Sequence, residues 1–92
     1  MREGQALSLQ YHETKDETLY VQRGRIEFQI GPRDGELMTE VVGPGHAFRL
    51  VPGTVHRLQA LEDSLLLEVS TPDLDDVVRL DDRYGREGTS AA

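Results

Sequence analysis

Apolar and polar residues alternate along much of this chain, in short runs separated by glycine and proline. In the first run (LSLQYH, residues 7–12) the alternation is strict, which puts Gln10 and His12 on one face of a strand. Further strands are predicted at residues 17–21, 25–30, 36–42, 47–51, 55–61, 64–70 and 76–80. No long stretch has the 3.6-residue period of a helix. The pattern predicts an all-β, antiparallel barrel of about seven or eight strands with little or no helix.

One turn, one strand and the C-terminal end of the chain allow more specific predictions. Gly24 is expected to supply the positive φ of a tight hairpin between the second and third strands. The apolar run SLLLEVS (residues 64–70) predicts a strand covered on both faces. Residues 1–86 are expected to form a single domain, with Tyr84 packed against the barrel, and residues 87–92 a flexible tail.

Composition narrows the function classes. A chain of 92 residues forms one domain with a modest core. A net charge of -7 argues against a nucleic-acid surface, which needs a basic patch. Neither a membrane-spanning run nor a signal peptide is visible, so a cytoplasmic protein with no membrane association is expected. The absence of cysteine excludes disulfides and thiolate metal ligands.

Four polar residues from three predicted strands form a candidate metal site. Gln10 and His12 share one strand face, Glu17 begins the next strand, and His56 follows the Pro52-Gly53 turn. Divalent metals are held by three or four N and O ligands that converge from rigid elements, with a position left for water or substrate. Alternatively, the histidines are ordinary polar residues of strands and Glu17 is a surface charge. The third histidine, His46, is expected to be a loop residue.

The spacing of these residues resembles the two motifs of the cupin family. The first block, Gly4-x5-Gln10-x-His12-x4-Glu17-x6-Gly24, is similar to G-x5-H-x-H-x3-4-E-x6-G, with glutamine at the first histidine. The second, Gly45-x5-Val51-Pro52-Gly53-x2-His56, is similar to G-x5-P-x-G-x2-H. The resemblance implies a jelly-roll β-barrel that holds one divalent metal (zinc, manganese, nickel or iron) through Gln10, His12, Glu17 and His56.

A narrower resemblance suggests a reaction. The Gln-x-His pair, HRL at 56–58 and DDVVRLDDRYGR at 75–86 resemble the isomerase domain of type II phosphomannose isomerases, although their histidine-rich run after the first ligand is absent. This resemblance implies metal-assisted isomerisation of a sugar or related hydroxy-carbonyl compound. The general base is unknown, and Glu13 and Asp16 are the nearest candidates. Lys15 and Arg49 are candidate substrate-binding residues for a phosphate.

Two other functions are compatible with the same ligands. A non-catalytic cupin would bind a small ligand at the metal, and an iron-dependent dioxygenase would use it for oxygen chemistry. The acidic segment from Asp73 to Arg86 could be interpreted as a calcium cluster, but it lacks the alternating Asp loop of calcium sites. It is expected to be a solvated strand edge beside arginines, namely Arg79, Arg83 and Arg86.

The first motif strand begins by Leu7, with no earlier strand predicted beside it. Either a preceding strand is missing from the chain or a partner protomer completes the sheet. Because an unpaired sheet edge invites pairing with another chain, a homodimer is expected.

Overall fold

The computed structural model describes residues 1–73 and 75–81, and the backbone of residues 88–90. These residues form nine strands and no helix, which confirms the all-β prediction. The strands are β1 Leu9–Tyr11, β2 Glu17–Arg23, β3 Ile26–Gly31, β4 Met38–Val42, β5 Ala47–Leu50, β6 Val55–Ala60, β7 Leu65–Ser70, β8 Val77–Asp81 and β9 Gly88–Ser90. All pairings are antiparallel, in a six-stranded sheet β4-β3-β6-β1-β8-β9 and a three-stranded sheet β5-β2-β7.

The core contains the inward-facing side chains of both sheets. Alternate residues of β2 and β3 are buried, as a strand with one covered face requires. The aromatic rings of Phe28 on β3 and Phe48 on β5 stack with their centroids 4.0 Å apart, joining the two sheets. The buried core cluster is Leu19, Val21, Ile26, Phe28, Val42, Leu50, Leu58 and Ala60.

The turn between β2 and β3 confirms the positive φ predicted for Gly24 but not the predicted hairpin, because β2 and β3 belong to different sheets and do not pair with each other. The φ of Gly24 is 95°, in the region that L-residues avoid. A Cβ atom at this position would lie 2.0 Å from Oγ of Ser64 and 2.7 Å from the carbonyl oxygen of Asp63. Both the backbone conformation and the close approach of the β6–β7 turn therefore require glycine here.

The first strand lies inside its sheet and not at an edge. Gln10 of β1 is paired with His56 of β6 on one side and with Arg79 of β8 on the other. The residues ahead of β1 also run along β6, because Leu7 N donates to the carbonyl of Leu58 at 2.9 Å. The expectation of an unpaired edge at the first motif strand is therefore wrong.

The apolar run on β7 corrects a second expectation. Leu66 packs against the core, but the alternate residues Leu65, Leu67 and Val69 point away from it. Leu67 is 49% and Val69 76% exposed within the described chain. The strand is therefore covered on one face and not on both, because the three-stranded sheet has no layer of described residues on its outer side.

Several expectations for the chain end concern residues outside the described part. These are Asp82, Arg83, Tyr84, Arg86 and the positions 87, 91 and 92 of the predicted tail. Within that tail, Gly88–Ser90 pair with β8. Upstream, Asp81 forms an ion pair with Arg57 of β6 at 3.4 Å.

Candidate metal centre

Both sheets contribute to the candidate metal site. The register of β1 and β6 puts Gln10 directly beside His56. His12 follows β1 immediately, and Glu17 is the first residue of β2 in the opposite sheet. The cross-strand pairing therefore brings together residues that are more than forty positions apart in the sequence.

Three of the predicted ligands form one buried cluster. Nε2 of His12 lies 3.2 Å from Oε1 of Glu17, and Nε2 of His56 lies 3.5 Å from the same oxygen. One ligand atom from each residue falls within 4.8 Å of the others. His12, Glu17 and His56 are only 5%, 4% and 1% exposed, so little water reaches these atoms.

Backbone carbonyls orient both imidazole rings. Nδ1 of His12 donates a hydrogen bond to the carbonyl oxygen of Asp76, and Nδ1 of His56 donates to that of Thr54 at 3.1 Å. A carbonyl oxygen only accepts, so each ring carries its proton on Nδ1 when neutral. The lone pairs of both Nε2 atoms are then directed toward Glu17. This outer-shell arrangement is typical of metal-binding histidines.

The charges in the cluster depend strongly on one another. Burial disfavours the Glu17 carboxylate, but hydrogen bonding to His12 and the charge of Lys15 lower its pKa to about 2. Burial also opposes protonation of His12, yet the bonds to Glu17 and to the Asp76 carbonyl raise its pKa above 6.5. His56 is buried more deeply, and burial lowers its pKa. Glu17 is therefore an anion at neutral pH, beside two imidazoles that differ in basicity.

This donor set fits a divalent cation. Two imidazole lone pairs that face a carboxylate oxygen repel it unless a positive charge lies among them. A proton on His12 meets that need in part, and a divalent metal would satisfy all three donors together. Two nitrogens and an oxygen from rigid elements are also ligands that several transition metals accept.

Gln10 lines the same cavity as this cluster. Its Oε1 accepts a hydrogen bond of 2.5 Å from Oγ of Ser8, which is buried behind it. The side chain is thus held at the wall of the cavity beside the two histidines. Its role as a fourth ligand stays a prediction.

The cavity above the cluster has a volume of about 240 Å³. Drug-sized ligands usually occupy larger pockets, so this one suits a small molecule. Its polar lining comes from the four predicted ligands together with Lys15 and Glu68. The other lining residues are apolar: Met1, Leu7, Leu19, Leu58 and Leu66.

The two predicted substrate anchors lie in different places. Lys15 lines the cavity, with Nζ 3.3 Å from Oε2 of Glu17 and 3.2 Å from Oε2 of Glu68. Burial opposes its charge, but these carboxylates raise its pKa overall. Arg49 is not among the lining residues, and its guanidinium is bound to the Asp16 carboxylate.

The candidate bases and the third histidine lie apart from the cluster. Neither Glu13 nor Asp16 is among the lining residues of the cavity. Hydrogen bonding to Arg49 lowers the pKa of Asp16, which is an ion-pair partner on the surface. His46 is an exposed residue between β4 and β5, as predicted.

Two acidic residues at the site were missed by the sequence analysis. Glu68 is the one charged residue in the apolar run of β7, and that interruption was a usable signal. Its position on the inward side of the strand brings it to Lys15. Asp76 carried no local signal, because its importance comes from contacts with residues more than sixty positions away.

Known proteins resemble this chain in sequence and in fold. The family model described as "Cupin domain" matches residues 1–70. KdgF from Halomonas sp. is 32% identical, with a TM-score of 0.67, over 78% of this chain and 62% of that one. CENP-C of Drosophila melanogaster, solved bound to CAL1, is 19% identical with a TM-score of 0.70, over 77% and 56%. Procruciferin, an 11S globulin from Brassica napus, is 18% identical with a TM-score of 0.76, over 86% and 20%.

The matches to solved structures cover only part of those structures. The chain spans less than two thirds of the length of each of these three structures. The two below 25% identity show a shared fold alone. No curated protein matches the sequence. Among the described residues, no helix has the length and apolar character to cross a membrane.

Proposed function

The chain belongs to the cupin family, and we propose that its cavity beside His12, Glu17 and His56 is a metal centre that binds a small molecule. His12, Glu17 and His56 hold one divalent ion, with Gln10 as the fourth ligand. The ligand that binds beside the ion is a sugar or a related hydroxy-carbonyl compound. Zinc, manganese, nickel and iron are the candidate metals, since all accept nitrogen and oxygen ligands.

The orientation of the imidazoles is the observation that supports this proposal most directly. Both Nδ1 atoms are occupied by backbone carbonyls, so both Nε2 lone pairs meet at one oxygen of a buried carboxylate. If the histidines were ordinary strand residues and Glu17 a surface charge, the three side chains would not be only 1% to 5% exposed with their ligand atoms within 4.8 Å of one another. The alternative of unrelated polar residues does not account for that convergence.

The cavity supports a polar small molecule with one apolar side. When bound, the metal would act as a Lewis acid on a carbonyl or hydroxyl oxygen of the ligand. The apolar lining packs against the carbon skeleton, and the ammonium of Lys15 lies beside the ligand cluster. Among the described residues that line the cavity, Glu68 is the carboxylate that is not a proposed metal ligand. In an isomerase it would therefore be the group positioned to move a proton.

The metal centre is tested by metal content. Tag-free protein is analysed by mass spectrometry, next to His56→Ala and the matched control His46→Ala. About one equivalent of a divalent metal is expected in the wild type and in His46→Ala, with loss in His56→Ala. A protein that contains no metal and takes up none of the four ions would disprove the proposal.

The reaction is tested separately. Conversion between mannose 6-phosphate and fructose 6-phosphate, lost in His56→Ala and in chelator, is the result expected of an isomerase. Iron-dependent oxygen uptake would instead identify a dioxygenase. Saturable, metal-dependent sugar binding without turnover would identify a binding protein. The last result would identify the second candidate function, a non-catalytic cupin, which the small size of the cavity also fits.

We also propose that the protein is a homodimer through the outer face of the three-stranded sheet. Tyr20 and Leu67 are paired across β2 and β7 and are 40% and 49% exposed. Leu65 and Val69 continue this apolar surface along β7. The same face also carries the Asp16–Arg49 ion pair, whose charges cancel, so two copies with a charge of -7 each repel one another less here than through an acidic surface. A second copy is therefore the occupant that the charge distribution favours.

Light scattering distinguishes the dimer from the monomer of 10.3 kDa. Wild-type protein is expected to have twice that mass, and Leu67→Lys the mass of one chain. Met38→Lys is the control, because Met38 is an exposed apolar residue on the other sheet. A wild-type mass of one chain at micromolar concentration would contradict the dimer.

A further inference from the structure

Asp76, just ahead of β8, makes an unusual number of bonds to the turn that carries His12. Its carboxylate accepts hydrogen bonds from the backbone N–H groups of three successive residues, Glu13 (2.9 Å), Thr14 (2.6 Å) and Lys15 (2.8 Å). The hydroxyl of Thr14 donates a fourth bond at 2.8 Å. Successive N–H groups that converge in this way form a concave anion-binding nest, here occupied by a side chain of the same protein.

The backbone of Asp76 contacts the candidate metal site directly. Its carbonyl oxygen accepts the hydrogen bond from Nδ1 of His12. One residue therefore holds the turn with its side chain and the imidazole with its main chain. These bonds lower the pKa of the Asp76 carboxyl, despite the opposing effect of desolvation, so it stays ionised.

His12 needs such support more than His56 does. His56 lies within β6, where neighbouring strands on both sides fix its backbone. His12 comes after the last residue of β1, and its carbonyl oxygen accepts one bond from Gly53 N at 2.7 Å. The backbone hydrogen bonds of the sheet therefore do not determine the position of the His12 ring.

We propose that Asp76 is a positioning residue for His12: its carboxylate clamps the 13–15 turn to the start of β8 so that its own carbonyl fixes the imidazole with Nε2 toward Glu17. This inference rests on the metal centre proposed above. Removing the carboxylate releases three backbone N–H groups and lets the carbonyl and the ring separate. The metal ligand is then present but misoriented, which typically weakens metal binding 10- to 100-fold.

The test is a double-mutant cycle measured by titration with Zn²⁺ alone. Asp76→Ala is compared with the wild type and, separately, in a His12→Ala background. A 10- to 100-fold loss of affinity is expected in the first comparison, and a change of less than about threefold in the second. Equal losses in both backgrounds, or a loss below about threefold with His12 present, would overturn the inference.

Two control variants separate positioning from general loosening. Asp75→Ala removes the exposed neighbouring carboxylate, and Thr71→Val removes a different bond to the same turn, from Asp16 N to Thr71 Oγ1. Both should bind Zn²⁺ as the wild type does. If Asp76→Ala does not fold, Asp76→Asn, which keeps one acceptor oxygen, should show a smaller loss that again depends on His12.

A readout without metal separates failure of this inference from failure of the metal centre. Nitrogen-15 NMR of the metal-free protein, at a pH that keeps the ring neutral, reports which nitrogen of His12 carries the proton. The wild type should show the proton on Nδ1, and Asp76→Ala a mixture of tautomers. An unchanged His12 spectrum in Asp76→Ala overturns the inference. A wild type that binds none of the four candidate ions but shows this tautomer change would refute the metal centre and leave the positioning role intact.

Discussion

Replacing Glu17 by glutamine removes one charge from the centre of the cluster and keeps its size. In the metal-free protein this carboxylate contacts Nε2 of His12 at 3.2 Å and the ammonium of Lys15 at 3.3 Å. Glutamine resembles the protonated acid, so the variant approximates the wild type with Glu17 neutral. The comparison therefore measures how much the ionised carboxylate stabilises the fold.

The pKa of Glu17 sets the expected size of the effect. Lowering it from 4.5 to about 2 stabilises the folded state by about 3 kcal/mol at neutral pH, at about 1.4 kcal/mol for each pKa unit. The folded pKa is depressed, so this stability is present above pH 4.5 and is lost as the pH falls through 2. At pH 3 linkage leaves about 1.4 kcal/mol of it.

The assay is urea unfolding in the presence of a chelator, at pH 7 and at pH 3, of wild type and Glu17→Gln. The variant should be less stable by about 3 kcal/mol at pH 7, with about half of that difference left at pH 3. Glu40→Gln, at an exposed position on β4, is the matched control and should differ little at either pH. A Glu17→Gln difference that is the same at both pH values, or absent at pH 7, would refute the reasoning.

Three other predictions concern the turn, the core and the metal. Gly24→Ala should lower the melting temperature by several degrees at least, because φ is 95° and the space is filled, whereas Gly43→Ala, with nothing closer than 3.9 Å, should not. Phe28→Ala should cost about 3–5 kcal/mol in chemical denaturation, since the ring is buried against its stacked partner. Metal affinity should fall on acidification, because a protonated imidazole cannot bind the metal. His12, whose pKa is raised above 6.5, is protonated first, and His56, whose pKa is lowered below 6.5, is protonated at a lower pH. An affinity independent of pH in a competition titration would contradict that ligand pair.

Local properties of the sequence were sufficient to predict the strands and most of the site. Alternation of apolar and polar residues is a property of each strand by itself, so β1 to β8 were predicted close to their observed bounds. The positive φ of Gly24 was also predictable, because glycine is the residue that tight turns between strands use for that conformation, but the sequence did not reveal that this turn joins strands of different sheets. His12, Glu17 and His56 were recognised by their spacing, and the structure brings them together.

The pairing of strands into two sheets determines which side chains are covered and which charged groups meet, and residue spacing alone does not reveal either. Hydrophobicity along β7 does not reveal whether a second layer covers its outer face, so the exposure of Leu67 and Val69 was not predictable. Arg49 was a plausible anchor by charge, but its register on β5 brings it to Asp16 and away from the cavity lining.

The second layer of the site depends entirely on tertiary structure. Glu68 reaches Lys15 across the β2–β7 pairing, and Asp76 reaches His12 from more than sixty residues away. Periodicity and spacing describe neighbours along one strand, whereas these contacts arise only when distant segments are paired. The sequence alone thus determined the strands and the metal-ligand candidates, and the fold determined which side chains orient, neutralise and enclose them.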